Sequence, residues 1–332
     1  MSDAPRPLGD TGRSVPPIGL GCWQLGGDWG QVTEQDALAT LHAAVESGVR
    51  LLDTADVYGD GRSEQLIARF RRDLGTDADE LFVATKVGRR ADPHVAAEYT
   101  PDAIRRWVER CRRNLEMDAL DLVQLHCPPS DVLDADDVFA TLDDLRDEGA
   151  LKAYGVSVET VDEALRSIAH PDIASLQIIV NAFRQRPVEE VLPQAVAHDV
   201  GVLARVPLAS GLLSGKYAED TQFAEDDHRN FNRHGEAFDV GETFAGVPYE
   251  VGVAAAREFA ALAPEGVTPA QLALRWLLDR DGVTLAIPGA RNPEQARANA
   301  AVMELPPLDE DTTDAIADLY DRSVREHVHD RW

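Results

Sequence analysis

Short apolar runs alternate with amphipathic stretches along almost the whole chain, and this alternation constrains the fold more than any single motif. Strand-like runs fall at residues 18–23, 51–53, 81–86, 120–126, 151–157, 174–180, 200–206 and 284–287. Helical patterns fall at 33–47, 63–73, 101–116, 137–148, 161–169, 188–197, 249–262, 269–281 and 310–325. Thr33 and Thr100 are placed to cap helix starts, and Gly48 and Gly149 to end helices. Eight strands in such alternation predict an α/β chain, a single (β/α)8 TIM barrel domain over residues 1–332. The doubly wound alternative needs a glycine-rich phosphate turn. The nearest candidate, Gly19-Leu20-Gly21-Cys22-Trp23-Gln24, has Gln24 where the third glycine belongs. Pro7-Leu8 and Ser14-Val15, around Gly9 to Arg13, predict an N-terminal β-hairpin plugging the barrel bottom. A long loop, residues 209–247, follows the seventh strand.

Charge narrows the possible partners. The 332 residues carry 32 basic and 59 acidic side chains, a net charge of −27. Such a surface repels nucleic-acid phosphates and anionic lipid, so neither is an expected partner. Only Lys86, Lys152 and Lys216 are lysines; arginine supplies the other basic residues. Acid excess with lysine depletion predicts a halophilic protein, because concentrated salt screens carboxylate repulsion to a Debye length of about 3 Å near 1 M. Cys22, Cys111 and Cys127 show no paired spacing, and the start lacks an apolar signal segment. With no membrane-length apolar run, the expected location is the cytoplasm.

Chemistry-bearing residues gather at strand ends. Asp53 closes the second run, Tyr58 follows five residues later, Lys86 closes the third and His126 the fourth. In a barrel of this kind the C-terminal strand ends form the reactive face. A phenol with a pKa near ~10 is a weak acid at neutral pH. A neighbouring ammonium is expected to lower that pKa, provided a carboxylate such as Asp53 keeps the ammonium charged. His126 would then orient and polarise a substrate oxygen.

Those residues sit within longer matches. Residues 48–59 (GVRLLDTADVYG), Lys86, 121–126 (DLVQLH), 149–157 (GALKAYGVS), 207–216 (PLASGLLSGK) and 287–295 (IPGARNPEQ) together resemble the aldo-keto reductases across nearly the full length. The resemblance implies Tyr58 as proton donor, assisted by Lys86 and Asp53, with His126 orienting a carbonyl. It also implies NADP(H) bound in extended form. Ser157 and Gln177 would hold the carboxamide of the nicotinamide, with Gly21 among the cofactor-lining positions. Pro207, Leu208, Ser210, Gly211, Ser214 and Lys216 would wrap the pyrophosphate. Gly289 and Arg291, with Gln295 and Asn299 in the following helix, would take the adenosine 2′-phosphate. The expected reaction partner is a small-molecule carbonyl or alcohol.

The sequence departs from the family pattern at Val158, at Val180 and at Arg205. Arg205 replaces the aromatic that stacks on the nicotinamide, and a guanidinium plane offers an alternative stacking surface. Trp23, Trp29 and Phe231 are candidate substrate contacts, and residues 221–247 a candidate lid. His327, His329 and Trp332 are placed to fold across the barrel mouth. The run 327–330 lacks a third ligand, so no metal is expected. Two other classes compete with the reductase. One is a regulatory NADP(H)-binding subunit with little turnover, prompted by the departures. The other is a Schiff-base lyase using Lys86 as nucleophile, which the neighbouring Asp53 disfavours because a nucleophilic amine must be neutral.

Overall fold

Each strand of the parallel sheet is short and almost wholly buried, so the sheet survives only if helices cover its outside and side chains fill its inside. The computed structural model describes residues 3–27, 32–225 and 227–332. Two strands, β1 (Arg6–Pro7) and β2 (Ser14–Val15), pair antiparallel as the expected hairpin. Eight more run in parallel: β3 (Leu20–Gly21), β4 (Leu51–Asp53), β5 (Phe82–Val87), β6 (Leu122–His126), β7 (Tyr154–Ser157), β8 (Ser175–Ile179), β9 (Gly201–Arg205) and β10 (Leu285–Ala286). Each pairs with its sequence neighbour. The last meets the first through the Ile18–Ala286 and Gly21–Gly289 bridges, with Gly19 N donating to Ala286 O at 2.8 Å. The sheet is thus closed, which removes its edges.

Alternation along the strands sorts side chains into two cores. Leu51, Phe82, Ala84, Leu122, Ala153, Leu203, Leu285 and Ile287 form an inner cluster that Leu8 and Val15 of the hairpin complete from below. The outer faces pack on the helices in a second, larger cluster. The period of two then dictates that Asp53, Lys86, Gln124, His126 and Gln177 share the inward phase of those apolar residues. Apolar layers fill the barrel floor and polar residues its top.

Several element boundaries differ from the sequence reading. The first strand is only Leu20–Gly21, and Trp23 opens a 3-10 turn, Trp23–Gly26, instead of ending the strand. The helix expected at 188–197 is two, Arg186–Glu190 and Leu192–Ala197, with Pro193 near the break. The terminal helix stops at Ser323 and resumes as Arg325–Val328. The loop after β9 is built from short turns of helix, Ala209–Ser214, His228–Phe231, Val240–Glu242 and Phe244–Gly246. Trp29 and Asp226 lie outside the described residues. Among the described residues no helix is long and apolar enough to cross a membrane.

Close packing of the interior yields a direct test. A Cβ on Gly155 would lie 2.1 Å from Ser175 Oγ and 2.3 Å from Ser175 O. Gly155→Ala is expected to destabilise the chain by about 1–3 kcal/mol, read as a lower urea midpoint. An unchanged midpoint would contradict the tight β7–β8 contact.

Candidate active site

The polar top of the barrel is organised around one buried amine. Lys86, 1 % exposed, donates from Nζ to Asp53 Oδ1 at 2.6 Å and to the Thr54 carbonyl at 2.8 Å. Its third neighbour is the Tyr58 hydroxyl at 3.3 Å. The other Asp53 oxygen accepts from Gln177 Nε2 at 2.8 Å, and Gln177 Nε2 lies 3.5 Å from Gln124 Oε1. Both carboxylate oxygens are therefore held, which fixes the ammonium in turn. Burial alone would lower the amine's pKa, but Asp53 and Tyr58 outweigh it and hold Lys86 above its usual value.

The loop after β4 brings the phenol to the amine. Thr54 N donates to Ala84 O and Asp56 N to Lys86 O, so the loop leaves the barrel still tied to β5. Gly59, at φ +59°, packs on the backbone of Gly26, where a Cβ would fall 2.1 Å from Gly26 O. That approach sets the Trp23 ring parallel to Tyr58, centroids 6.0 Å apart. The Tyr58 ring meets His126 edge-on at 5.9 Å. Burial raises the Tyr58 pKa and Lys86 pulls it back, with the net above the ordinary phenol value. The expected net lowering is corrected: desolvation is the larger effect. Burial, with Arg89, Lys86 and Arg205, drives the His126 pKa far down, leaving a neutral imidazole. Its Nδ1 is buried without a partner among the described residues.

A second polar group stands beside this one. Arg89, just past β5, donates to Glu159 at 2.9 Å and to Glu242 at 2.7 Å. Arg205, ending β9, lies 3.6 Å from Glu242 and donates to the Val158 carbonyl at 3.0 Å. The Arg205 guanidinium, read from sequence as an alternative stacking surface, is tied into this ionic cluster. Cys127, Glu159 and Glu242 present ligand-type atoms within 4.8 Å of one another. Two guanidiniums already face those carboxylates, which disfavours a metal cation.

The remaining predicted residues fall into place as follows. Ser157 is buried at the end of β7, with Oγ 3.7 Å from Cys127 Sγ. Pro207, Leu208, Ser210, Gly211 and Ser214 form the tight turn after β9, with Ser210 and Gly211 in left-handed conformation. Ser210 Oγ donates to Glu242 O at 3.2 Å and accepts from Phe244 N at 3.0 Å, pinning the candidate lid. Lys216 is exposed. Arg291 N donates to Gln295 Oε1, Asn299 donates to Gly289 O, and the Arg291 guanidinium lies 3.5 Å from Asp227. Gly21 bridges to Gly289, over which the Gln24 amide lies. Phe231, 40 % exposed, packs on Phe238, which packs on Trp23. Trp332 does reach the mouth, donating to Asp239 at 2.9 Å beneath Arg184. His329 instead bonds Tyr320, and His327 pairs with Glu326.

Sequence reasoning missed Gln124, Arg89, Glu159 and Glu242. Gln124 was recoverable, being two residues before His126 and therefore in the same inward phase. The others meet only through the fold.

Comparison with known proteins points to one family and fold. The profile of the Aldo/keto reductase family matches residues 17–321. The aldo-keto reductase YhdN of Bacillus subtilis (strain 168) is 30% identical over 295 residues, 88% of this chain and 86% of that protein. A probable voltage-gated potassium channel subunit beta of Oryza sativa subsp. japonica is 28% identical over 318 residues, 91% of each chain. The solved glycerol dehydrogenase AKR11B4 of Gluconobacter oxydans superposes with a TM-score of 0.77 at 29% identity, covering 98% of this chain and 96% of that one. An aldo-keto reductase of Klebsiella pneumoniae solved with NADPH superposes at 0.71 and 24% identity, covering 96% and 95%.

One buried acid is not engaged by the groups above. Asp56 is fully buried, and neither of its oxygens has a partner among the described residues. Burial, with Glu64 adding to it, raises its pKa to about 7. The folded chain then holds a proton that the unfolded chain, near ~4, has released. This contribution to stability declines as pH rises from about 4 to about 7. Asp56→Asn is expected to gain on the wild type across that window in urea unfolding. A difference independent of pH would contradict the assignment.

Proposed function

The chain belongs to the Aldo/keto reductase family, and from that membership we propose that it is an NADPH-dependent reductase of aldehydes or ketones, working reversibly through Tyr58. The observation that carries this reading is the Lys86 amine, buried between Asp53 at 2.6 Å and the Tyr58 hydroxyl at 3.3 Å.

The residues present fit NADP(H). Gln24 Oε1 and Gln124 Nε2 are buried polar atoms without partners among the described residues, one over Gly289 and one beside Gln177. Consecutive left-handed residues Ser210 and Gly211 give a backbone turn suited to an anion. Arg291, before the helix Pro293–Ala300, suits a 2′-phosphate. In this assignment Ser157 and Gln177 hold the carboxamide, residues 207–216 the pyrophosphate, and Gly289, Arg291, Gln295 and Asn299 the adenosine end. When bound, NADPH supplies the hydride.

The chain's own residues supply the rest. Tyr58 donates its hydroxyl proton to the carbonyl oxygen as negative charge develops there. Lys86 stabilises the phenolate left behind, and Asp53 with the Thr54 carbonyl keeps the amine charged and aimed. Neutral His126 donates a ring N–H to the same oxygen and sets the carbonyl's orientation. Trp23 walls the mouth. The whole chain acts as one barrel unit, and its acidic surface suits it to high salt.

NADPH oxidation with a panel of aldehydes, at low and molar salt, tests this. Tyr58→Phe is expected to lower kcat by roughly 10²–10⁴-fold, while NADPH still binds by fluorescence titration. A wild type that binds NADPH but turns nothing over would favour the regulatory reading that the channel-subunit relatives suggest.

A further inference from the structure

We propose that the mouth beside His126 selects carbonyl substrates carrying a carboxylate, and that Glu242 occupies that carboxylate's place until substrate enters. This rests on the reductase reading.

Arg89 and Arg205 come from well-separated strands of the barrel yet converge on one oxygen, Glu242 Oε1, at 2.7 and 3.6 Å. The receptor is scaffold, whereas the occupant is carried by the short turn Val240–Glu242 in the loop after β9. Such a pair of planar forks is shaped for a carboxylate. Donors remain to be satisfied. Arg205 Nε and Arg184 Nη1 are buried with no acceptor among the described residues, and both residues are more than nine-tenths buried. Arg184 Nη2 is spent on the Glu159 carbonyl.

Charge makes the requirement sharper. With Glu242 in place, its carboxylate faces both Arg89 and Arg205, while burial and Glu242 itself raise the pKa of Glu159 to about 8; with Glu242 withdrawn, Glu159 is the acid left beside Arg89. Under-compensated cations at a buried site are costly, so an anion displaces Glu242 more readily than a neutral group does. A neutral carbonyl lacks that charge, and the lid's own carboxylate competes against it.

The site is close to the reaction centre. Arg205 Nη2 lies 3.7 Å from Sγ of Cys127, the residue that follows His126, and the charges of Arg89 and Arg205 both act on His126. Alongside lies a cavity of about 360 Å³ bounded by Cys127, Glu159, Asp239 and Trp332.

The test compares succinic semialdehyde with its neutral counterpart 4-oxobutanamide, at fixed ionic strength, in the NADPH assay. In parallel, calorimetry measures binding of 4-hydroxybutanoate and 4-hydroxybutanamide without turnover. The acid is expected to be preferred by about tenfold or more in kcat/KM and in Kd. Glu242→Gln is expected to tighten the acid several-fold further, by removing the competitor. Arg89→Gln and Arg205→Gln are expected to bring the acid-to-amide ratio toward one. Should one arginine variant fail to fold, the other and Glu242→Gln still decide. A ratio near one in the wild type that Glu242→Gln leaves unmoved overturns the proposal. Selective acid binding with the predicted variant pattern, but no turnover of any carbonyl, would sustain this site while removing the reductase reading.

Discussion

A charged amine in a dry barrel is the constraint on which the rest of the site depends. Lys86 is as buried as the core leucines around it, and an unpaired ammonium there would cost several kcal/mol. Asp53 removes that cost, and Gln177 and Gln124 hold Asp53 from the opposite wall. Residues on strands β4, β5, β6 and β8 are thereby tied through one polar chain. The phenol of Tyr58 then meets a cation that is fixed in position and in charge.

That arrangement exists because the barrel separates its tasks by height. Leu8 and Val15 close the floor, and apolar residues fill the layers above it. Polar residues share the same inward phase only toward the strand ends. The hydrogen-bonded polar tier therefore stands on a packed apolar base that keeps water from below. Above the tier, the loop after β9 brings Glu242 to Arg89 and Arg205, and Trp332 anchors that loop at Asp239. At Arg205 the mouth therefore presents a guanidinium held in an ionic cluster, where the sequence reading offered it as a stacking surface.

Much of this was legible in the sequence, for identifiable reasons. Apolar runs and caps such as Thr33 and Thr100 report local physics, and both threonines accept from the helix as expected. Residues 51–53 were delimited as found because a short apolar run ends in Asp53. Trp23 reads as strand in the sequence, but its turn is set by contact with the Tyr58 loop and not by local propensity. The helix break near Pro193 was signalled in the sequence but overridden by the apolar periodicity around it. The Arg89–Glu242 pair joins residues 153 positions apart, and no spacing rule reaches that far. For the Tyr58 pKa, sequence names the neighbouring cation but not the depth of burial, and burial is the larger effect.

The central claim is that the Lys86 ammonium acts on the Tyr58 hydroxyl through a fixed contact. Selective ¹³Cζ-tyrosine labelling allows the Tyr58 phenol to be titrated by NMR in the wild type and in Lys86→Met. The ammonium lowers the phenol's pKa while burial and Asp53 raise it. Removing the ammonium must therefore shift the Tyr58 titration to higher pH. A titration that stays in place, or moves down, would contradict the account.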